Sequence, residues 1–263
     1  MKQVPKISIV TPSLNQGCFI SECIESVLKQ NDPRFEHIIM DGGSSDDTIQ
    51  ILKKYSHLIW RSEKDEGQSD AVNKALSLAT GDIVGWINAD DFYYPGSFAI
   101  VRQMFDEDPT LDIVTGDYCF VDASGHLLRK RKELGFDYRV YLYAGKSYLG
   151  NASAFFRKRI LDQHGGPRKD LHHSMDYELF VRLVKVAKFK HVRQFLASYR
   201  LHSQSKTTLD LNRGIRETKA LQLEFISKEL GKRLSSLPLS VRFKGIRCMI
   251  RRVAQKYVAN CYR

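Results

Sequence analysis

Two adjacent carboxylates, Asp90 and Asp91, close the apolar run Ile83-Val84-Gly85-Trp86-Ile87. Side by side they repel at neutral pH, and a hard divalent cation is the usual remedy. Mg²⁺ or Mn²⁺ held by one or two carboxylates fills its remaining positions with water and substrate phosphates, so a nucleotide diphosphate is a fitting ligand. Three other apolar runs end in polar clusters. Thr11-Pro12-Ser13-Leu14-Asn15-Gln16 follows residues 7–10, Asp41-Gly42-Gly43-Ser44-Ser45-Asp46-Asp47-Thr48 follows 37–40, and Glu63-Lys64-Asp65-Glu66-Gly67-Gln68-Ser69-Asp70 follows 58–60. Turn and helix-capping chemistry accounts for Ser44, Ser45, Asp46 and Asp47. It accounts less well for Asp41, because two glycines after a strand-end acid suit close approach of backbone and ligand. Further on, Asp176 opens an amphipathic segment, where an acid can serve the helix dipole as readily as chemistry. His202 is a lone histidine after Tyr199-Arg200-Leu201, compatible with a structural or a ligating role.

The elements that would carry these clusters alternate. Strand signals at 7–10, 37–40, 58–60 and 83–87 are separated by helical patterns at 19–29, 47–55 and 69–78. Such alternation indicates βαβ units and a mostly parallel sheet, whose ligands bind beyond the carboxyl ends of the strands. All four clusters then share one edge. Strands are also expected at 111–115 and 118–121 around the turn Asp122-Ala123-Ser124-Gly125, and helices at 175–188 and 212–230. Gly231 to Pro238 reads as a linker.

Taken together these motifs resemble a glycosyltransferase of family 2, the group with the GT-A fold, over most of Lys6 to about Thr207. The resemblance rests on Thr-Pro-Ser-Leu-Asn-Gln, Asp-Gly-Gly-Ser-Ser-Asp-Asp-Thr, Asp65-Glu66-Gly67 with Ala71 and Asn73, Asn88-Ala89-Asp90-Asp91, Met175-Asp176-Tyr177-Glu178-Leu179-Phe180-Val181-Arg182-Leu183 and Tyr199-Arg200-Leu201-His202. It implies an α/β fold with a Rossmann-like, mostly parallel central sheet flanked by helices. Residues 1–208 would form the catalytic domain, with a nucleotide-sugar half at 1–117 and an acceptor half at 118–208, and 209–263 a helical basic extension. Thr11, Pro12, Asn15, Asp41 and Asp65 would then meet the nucleotide, with Asp90 at the ribose and diphosphate. Asp91 would hold the metal with Asp90, and His202 would close over the donor as a further ligand. Asn88 departs from the pattern, standing where the family has an acid. The cofactor implied is Mg²⁺ or Mn²⁺, and the donor a nucleotide sugar, UDP by default.

The same resemblance makes Asp176 the catalytic base. A sugar hydroxyl is a poor nucleophile at neutral pH, so a positioned carboxylate must take its proton. One base opposite one metal implies single displacement, hence inversion. No Gln-any-any-Arg-Trp box is present, which favours transfer of one sugar per encounter, to a glycan or lipid-linked acceptor in cell-surface polysaccharide or glycolipid synthesis. Residues 150–157 resemble the family's acceptor-side strand, and His172 and His173 carry no specific assignment.

The net charge of +11 is unevenly placed: nine Lys or Arg and no acid follow Gly231, leaving +2 for everything before it. Such a tail seeks a polyanion. Phe243, Ile246, Ile250, Val253 and Tyr257 recur at helical steps among the basic residues. The stripe would either pack on the domain or lie on an anionic membrane surface. Nucleic acid is the weaker partner, because the body shows no basic stripe with interleaved aromatics. A sugar-nucleotide pyrophosphorylase would want a glycine-rich basic loop after the first strand, which 11–16 does not supply. Five scattered cysteines read as reduced thiols, and the absence of a secretory signal or 20-residue apolar run points to a cytoplasmic protein, peripheral at most.

Overall fold

The computed structural model describes residues 4–145, 147–231, 240–259 and 261. The expected alternation is present as β1 (Ile7–Ser13), α1 (Ile20–Leu28), β2 (Phe35–Asp41), α2 (Thr48–Leu52), β3 (Leu58–Ser62), α3 (Gln68–Leu78) and β4 (Ile83–Trp86). These four strands are parallel, in the order β3-β2-β1-β4. Their register sets Ser13 beside Asp41 and Asp41 beside Ser62, so the polar clusters emerge together at the carboxyl edge.

The second half turns the sheet from parallel to mixed. Helix α4 (Ser97–Glu107) leads into β5 (Ile113–Val121) and β6 (Leu127–Arg131), and β7 (Ala154–Arg157) inserts antiparallel between β4 and β5. After α5 (Lys158–His164) and α6 (Met175–Leu183), β8 (Phe189–Arg200) runs parallel to β5. Two expected strands are thus one: β5 is continuous through Asp117, with its irregularity against β8 at Gly116–Tyr118. It also crosses the boundary at 117/118 between the two expected halves.

The core lies on both faces of this sheet, as period-two alternation requires. Ile7, Ile9, Ile83 and Phe155 pack with Phe98, Val101 and Phe105 of α4, whereas Val10, Val84 and Phe156 pack with Ala71, Ala75 and Phe180 from α3 and α6. The C-terminal helices are part of this body. After the short α7 (Lys206–Leu209), α8 (Leu211–Leu230) buries Leu221 and Ile226, and α9 (Ser240–Val258) packs on the π-helical turn Val140–Ala144. The apolar stripe of α9 is not its docked face: Ile246, Ile250, Val253 and Tyr257 are exposed, and Arg252 and Lys256 are buried. Past Gly231, the expected linker lies outside the described residues. All five cysteines are free thiols, and among the described residues no helix is long and apolar enough to cross a membrane.

Candidate active site

β8 is the element that assembles the site. It passes the segment after Asp91, where the Tyr94 N–H donates to the Leu196 carbonyl at 2.9 Å and the Ser198 N–H to that of Phe92 at 2.8 Å. This pairing delivers His202 to the acidic pair, across 112 residues of chain: its Nε2 lies 3.0 Å from Asp90 Oδ2. Phe19 packs on the imidazole at 4.6 Å between ring centroids. Arg200, two residues earlier, is buried and clasps the loop. Its Nε donates to the Asp90 carbonyl at 2.7 Å, Nη1 to the Ala123 carbonyl at 2.8 Å, and Nη2 to Glu22. Phe19 and Phe92 sandwich the guanidinium.

The two acids of the pair face different ways. Asp90 retains 19% side-chain exposure beside His202, whereas Asp91 is 2% exposed. Asp91 Oδ1 accepts the Arg200 N–H at 2.8 Å and Oδ2 the Asn88 amide at 3.4 Å. Burial, then the neighbouring charge of Asp90, push the Asp91 carboxyl well above the usual carboxylate range. Asp90 is thus the more accessible carboxylate of the pair, and Asp91 the one bonded into the surrounding chain. Asn88 is committed too, its Oδ1 accepting from Gln68 Nε2 at 2.8 Å and Trp86 Nε1 at 3.2 Å.

The donor set at the cleft suits a cation. A carboxylate oxygen and an imidazole nitrogen 3.0 Å apart have the spacing of adjacent ligands each about 2.1 Å from one octahedral ion. Among the described residues no group of three or more His, Cys, Asp or Glu forms a complete cage. The other positions would fall to water and phosphate oxygens, which is how Mg²⁺ or Mn²⁺ commonly sits with a nucleotide.

The nucleotide-side candidates divide into surface and support. Asp65 stands beside the end of β2, with its Oδ2 2.8 Å from where a Cβ on Gly42 would be, so a side chain there would displace the Asp65 carboxylate. Asn15 is exposed and bridges two loops, its N–H donating to Ser44 Oγ at 2.7 Å and its Oδ1 accepting the Ser45 N–H at 2.9 Å. Asp41 is 1% exposed and occupied, accepting from the Gly43 and Ser44 N–H groups and the Ser44 and Ser62 hydroxyls. It therefore shapes the loop over which a base would lie. Thr11 does not reach the cleft, contrary to the expectation that it meets the nucleotide. Its side chain is fully buried and bonded to His37 Nε2 at 2.9 Å, an imidazole that burial, then His57, push down to about 3. Pro12 is likewise buried, paired with Met40 in the sheet. Asp46 makes turn contacts rather than a helix cap, accepting the Thr48 and Gly17 N–H groups at 3.0 and 2.8 Å while Asp47 occupies the N-cap position.

Asp176 lies in the first turn of α6. Burial, then Asp91, and further Asp90 and Asp176, push the Tyr199 hydroxyl upward, so the charge of all three acids is felt at that one side chain. The loop before α6 is tied to α3, with Ser69 Oγ donating to the Leu171 carbonyl at 3.1 Å and Asn73 Nδ2 to that of Pro167 at 2.7 Å. Burial, opposed by hydrogen bonds and aided by the charge of Glu217, raises the Asp176 carboxyl to about 6. A carboxyl at that value is unprotonated at neutral pH yet basic enough to take a proton.

Glu217 of α8 escaped the sequence reading. Its carboxylate accepts the backbone N–H groups of His172, His173 and Ser174 at 2.9, 2.6 and 2.6 Å, immediately before the helix that carries Asp176. Burial opposes ionisation of Glu217, but these donors outweigh it and hold the carboxyl below its usual range. An acid 41 positions after Asp176 on a solvated-looking helix gives no local signal for this contact.

Residues 8–165, more than half of the chain, match the family described as Glycosyl transferase family 2. Among curated relatives, the chondroitin synthase of Escherichia coli is 27% identical over 221 residues, which cover 81% of this chain but 31% of that protein. The chain thus spans under a third of the length of the synthases it matches. An uncharacterized glycosyltransferase of Mycobacterium tuberculosis is 29% identical over 205 residues, 76% of each chain. S. aureus TarS 1–349 shares the fold at a TM-score of 0.64 and 18% identity, over 92% of this chain and 70% of that one. A mannosyltransferase from Pyrobaculum calidifontis, solved with GDP-Man and Mn²⁺, does so at 0.63 and 17%, over 96% and 76%. The chain belongs to glycosyltransferase family 2 and is a glycosyltransferase of GT-A-like fold.

Proposed function

We propose that the chain transfers one sugar per encounter from a nucleotide-diphosphate donor to a hydroxyl of a glycan or lipid-linked acceptor, with inversion at the anomeric carbon. The observation that carries this reading is the Asp90–His202 pair, 3.0 Å apart, together with an Asp176 carboxyl raised to about 6 whose charge, like those of Asp90 and Asp91, bears on Tyr199. Asp176 takes the proton of the acceptor hydroxyl as its oxygen bonds to C1, and the C1–O bond to the diphosphate breaks on the opposite face. One carboxylate base opposite one metal implies a single displacement. Asp90 and His202 would hold Mg²⁺ or Mn²⁺, which when bound supplies charge neutralisation at the leaving diphosphate. Asp65 and the loop shaped by Asp41 and Asn15 would seat the nucleoside, and Asp91 and Arg200 fix the loop that presents Asp90.

Solved proteins of this fold include TarS with UDP-GlcNAc and the mannosyltransferase with GDP-Man and Mn²⁺, which supports a nucleotide sugar with a metal and leaves the base to be tested. A role in polysaccharide synthesis is supported by the names of the chondroitin and hyaluronan synthases. A thermal-shift panel of UDP-, GDP- and dTDP-sugars, each with and without Mn²⁺, tests the reading. A shift with one nucleotide that requires the metal is expected; no shift with any nucleotide sugar in Mn²⁺ would overturn it. Polymeric product from one acceptor in substrate excess would overturn single-sugar transfer.

A further inference from the structure

The helix α9 is docked with its usual logic reversed. Its inward face is Gly245, Cys248, Met249, Arg252 and Lys256. A Cβ on Gly245 would lie 2.2 Å from the Tyr143 carbonyl oxygen, so the helix approaches the turn backbone to backbone. Arg252 donates to Glu133 at 2.8 Å and to the Gly135 carbonyl at 2.7 Å, with its guanidinium 3.7 Å from the centre of the Tyr148 ring. Lys256 reaches the other oxygen of Glu133 at 2.6 Å, and Glu133 has no exposed surface. Turning the helix to bury its apolar stripe would take Arg252 and Lys256 away from that carboxylate and leave it only Arg131, at a destabilising cost. The buried charges therefore fix which side faces out.

What faces out is Ile246, Ile250, Val253 and Tyr257, each more than half exposed, with Val258 at 86%. Lys244, Arg247 and Arg251 are exposed beside them, and the helix contains no acid. An open groove of about 950 Å³ continues this surface between α9 and the 134–139 segment, its walls including Leu134, Phe136, Tyr138, Arg139, Arg251 and Val258. Its lining is mainly apolar with three guanidinium groups, and Asp137 is the one acid among the described lining residues.

We propose that the outward face of α9 docks on an anionic membrane surface. The aliphatic stripe would enter the acyl boundary, and Lys244, Arg247 and Arg251 would meet lipid phosphates. Charge complementarity selects this occupant. A second copy packed stripe to stripe would bring Arg247 and Arg251 of both chains together with no acid between them. Nucleic acid would match the cations and leave the stripe in water. The docking stands without the transfer reading, but it would serve that reading. α9 rests on the turn that includes Tyr141, which stacks on Tyr177 next to Asp176, so two packed rings join the helix to the proposed base.

Flotation of the full chain with vesicles tests this, comparing phosphatidylcholine alone with phosphatidylcholine plus phosphatidylglycerol at physiological salt. The chain is expected to float with the anionic vesicles only. Ile246→Glu with Ile250→Glu should weaken binding at least about tenfold. Arg247→Glu with Arg251→Glu should weaken it about tenfold or more. Both variants should keep the wild-type melting temperature and the Mn²⁺-dependent donor shift. No preference for anionic vesicles would overturn the proposal, as would unchanged binding in the Ile variant. A concentration-dependent dimer abolished by Ile250→Glu would assign the stripe to self-association instead.

Discussion

Replacing Asp176 with Asn separates two consequences of one buried carboxyl. Without the base, turnover should fall by about 10²–10⁴-fold. The wild-type rate should have an acid limb near pH 6, where the Asp176 carboxyl titrates, falling tenfold per pH unit below it. Stability should move the other way. The folded-state value of about 6 lies above the ordinary 3.8, so the native protein holds this proton more tightly than the unfolded chain does. The favourable contribution is complete below the unfolded value and lost as pH rises through the folded one. At neutral pH the charged carboxylate thus costs up to about 3 kcal/mol, and less where water screens it. Asn carries no such cost and its oxygen can still accept the Tyr177 N–H, so melting should rise by a few °C at pH 7, with no gain at pH 4. Turnover with a soluble acceptor, pH–rate profiles and melting curves at both pH values make the measurement; a donor shift in Mn²⁺ controls for an intact nucleotide side. Near-normal turnover would remove Asp176 from the chemistry. A lower melting temperature at pH 7 would refute the account of its environment.

His202→Ala removes one of two donors at the cleft, so the Mn²⁺ concentration for half-maximal activity should rise about tenfold or more, as metal titration would show. Glu217→Gln removes a charge that raises Asp176; the acid limb should move to lower pH, and loss of charged hydrogen bonds should cost about 1–3 kcal/mol. An unmoved limb would make Glu217 a clamp only. Glu133→Gln leaves Arg252 and Lys256 without their buried partner, with an expected loss of about 3–5 kcal/mol and faster amide exchange along α9.

The first half of the sheet was legible because its logic is local. Apolar runs of three to five residues followed by polar clusters map one to one onto β1 to β4 and their loops, and the parallel register does the rest. Thr11 shows the limit: a strand-end position says which edge a residue occupies, but alternation sends this side chain inward to His37. The second half of the sheet depends on pairings distant in sequence. β8 has no clean alternation, and its role rests on Arg200 reaching Asp90, Asp122 and Glu22 at once. Helix α4 is a different case, since Phe98, Val101 and Phe105 carry an ordinary helical stripe that the loop-like Tyr-Tyr-Pro-Gly before it obscures.

The basic tail is where periodicity misleads about direction. A stripe of Ile246, Ile250, Val253 and Tyr257 normally identifies the face that packs, because burying aliphatic surface is favourable and burying charge is not. That inference fails when a distant carboxylate is already buried and needs cations. Glu133 sits in Arg131-Lys132-Glu133, which looks like an exposed charged run, and nothing near it forecasts a side chain sealed beneath α9. Once it is sealed, two positive side chains at a helical four-residue step are its best complement, and Arg252 and Lys256 supply them. Their positions then dictate the rotation of the helix, and the apolar side has nowhere to go but outward. The charge offered to a polyanion is accordingly smaller than the nine cations suggest, and it is concentrated beside an aliphatic strip rather than spread around a helix.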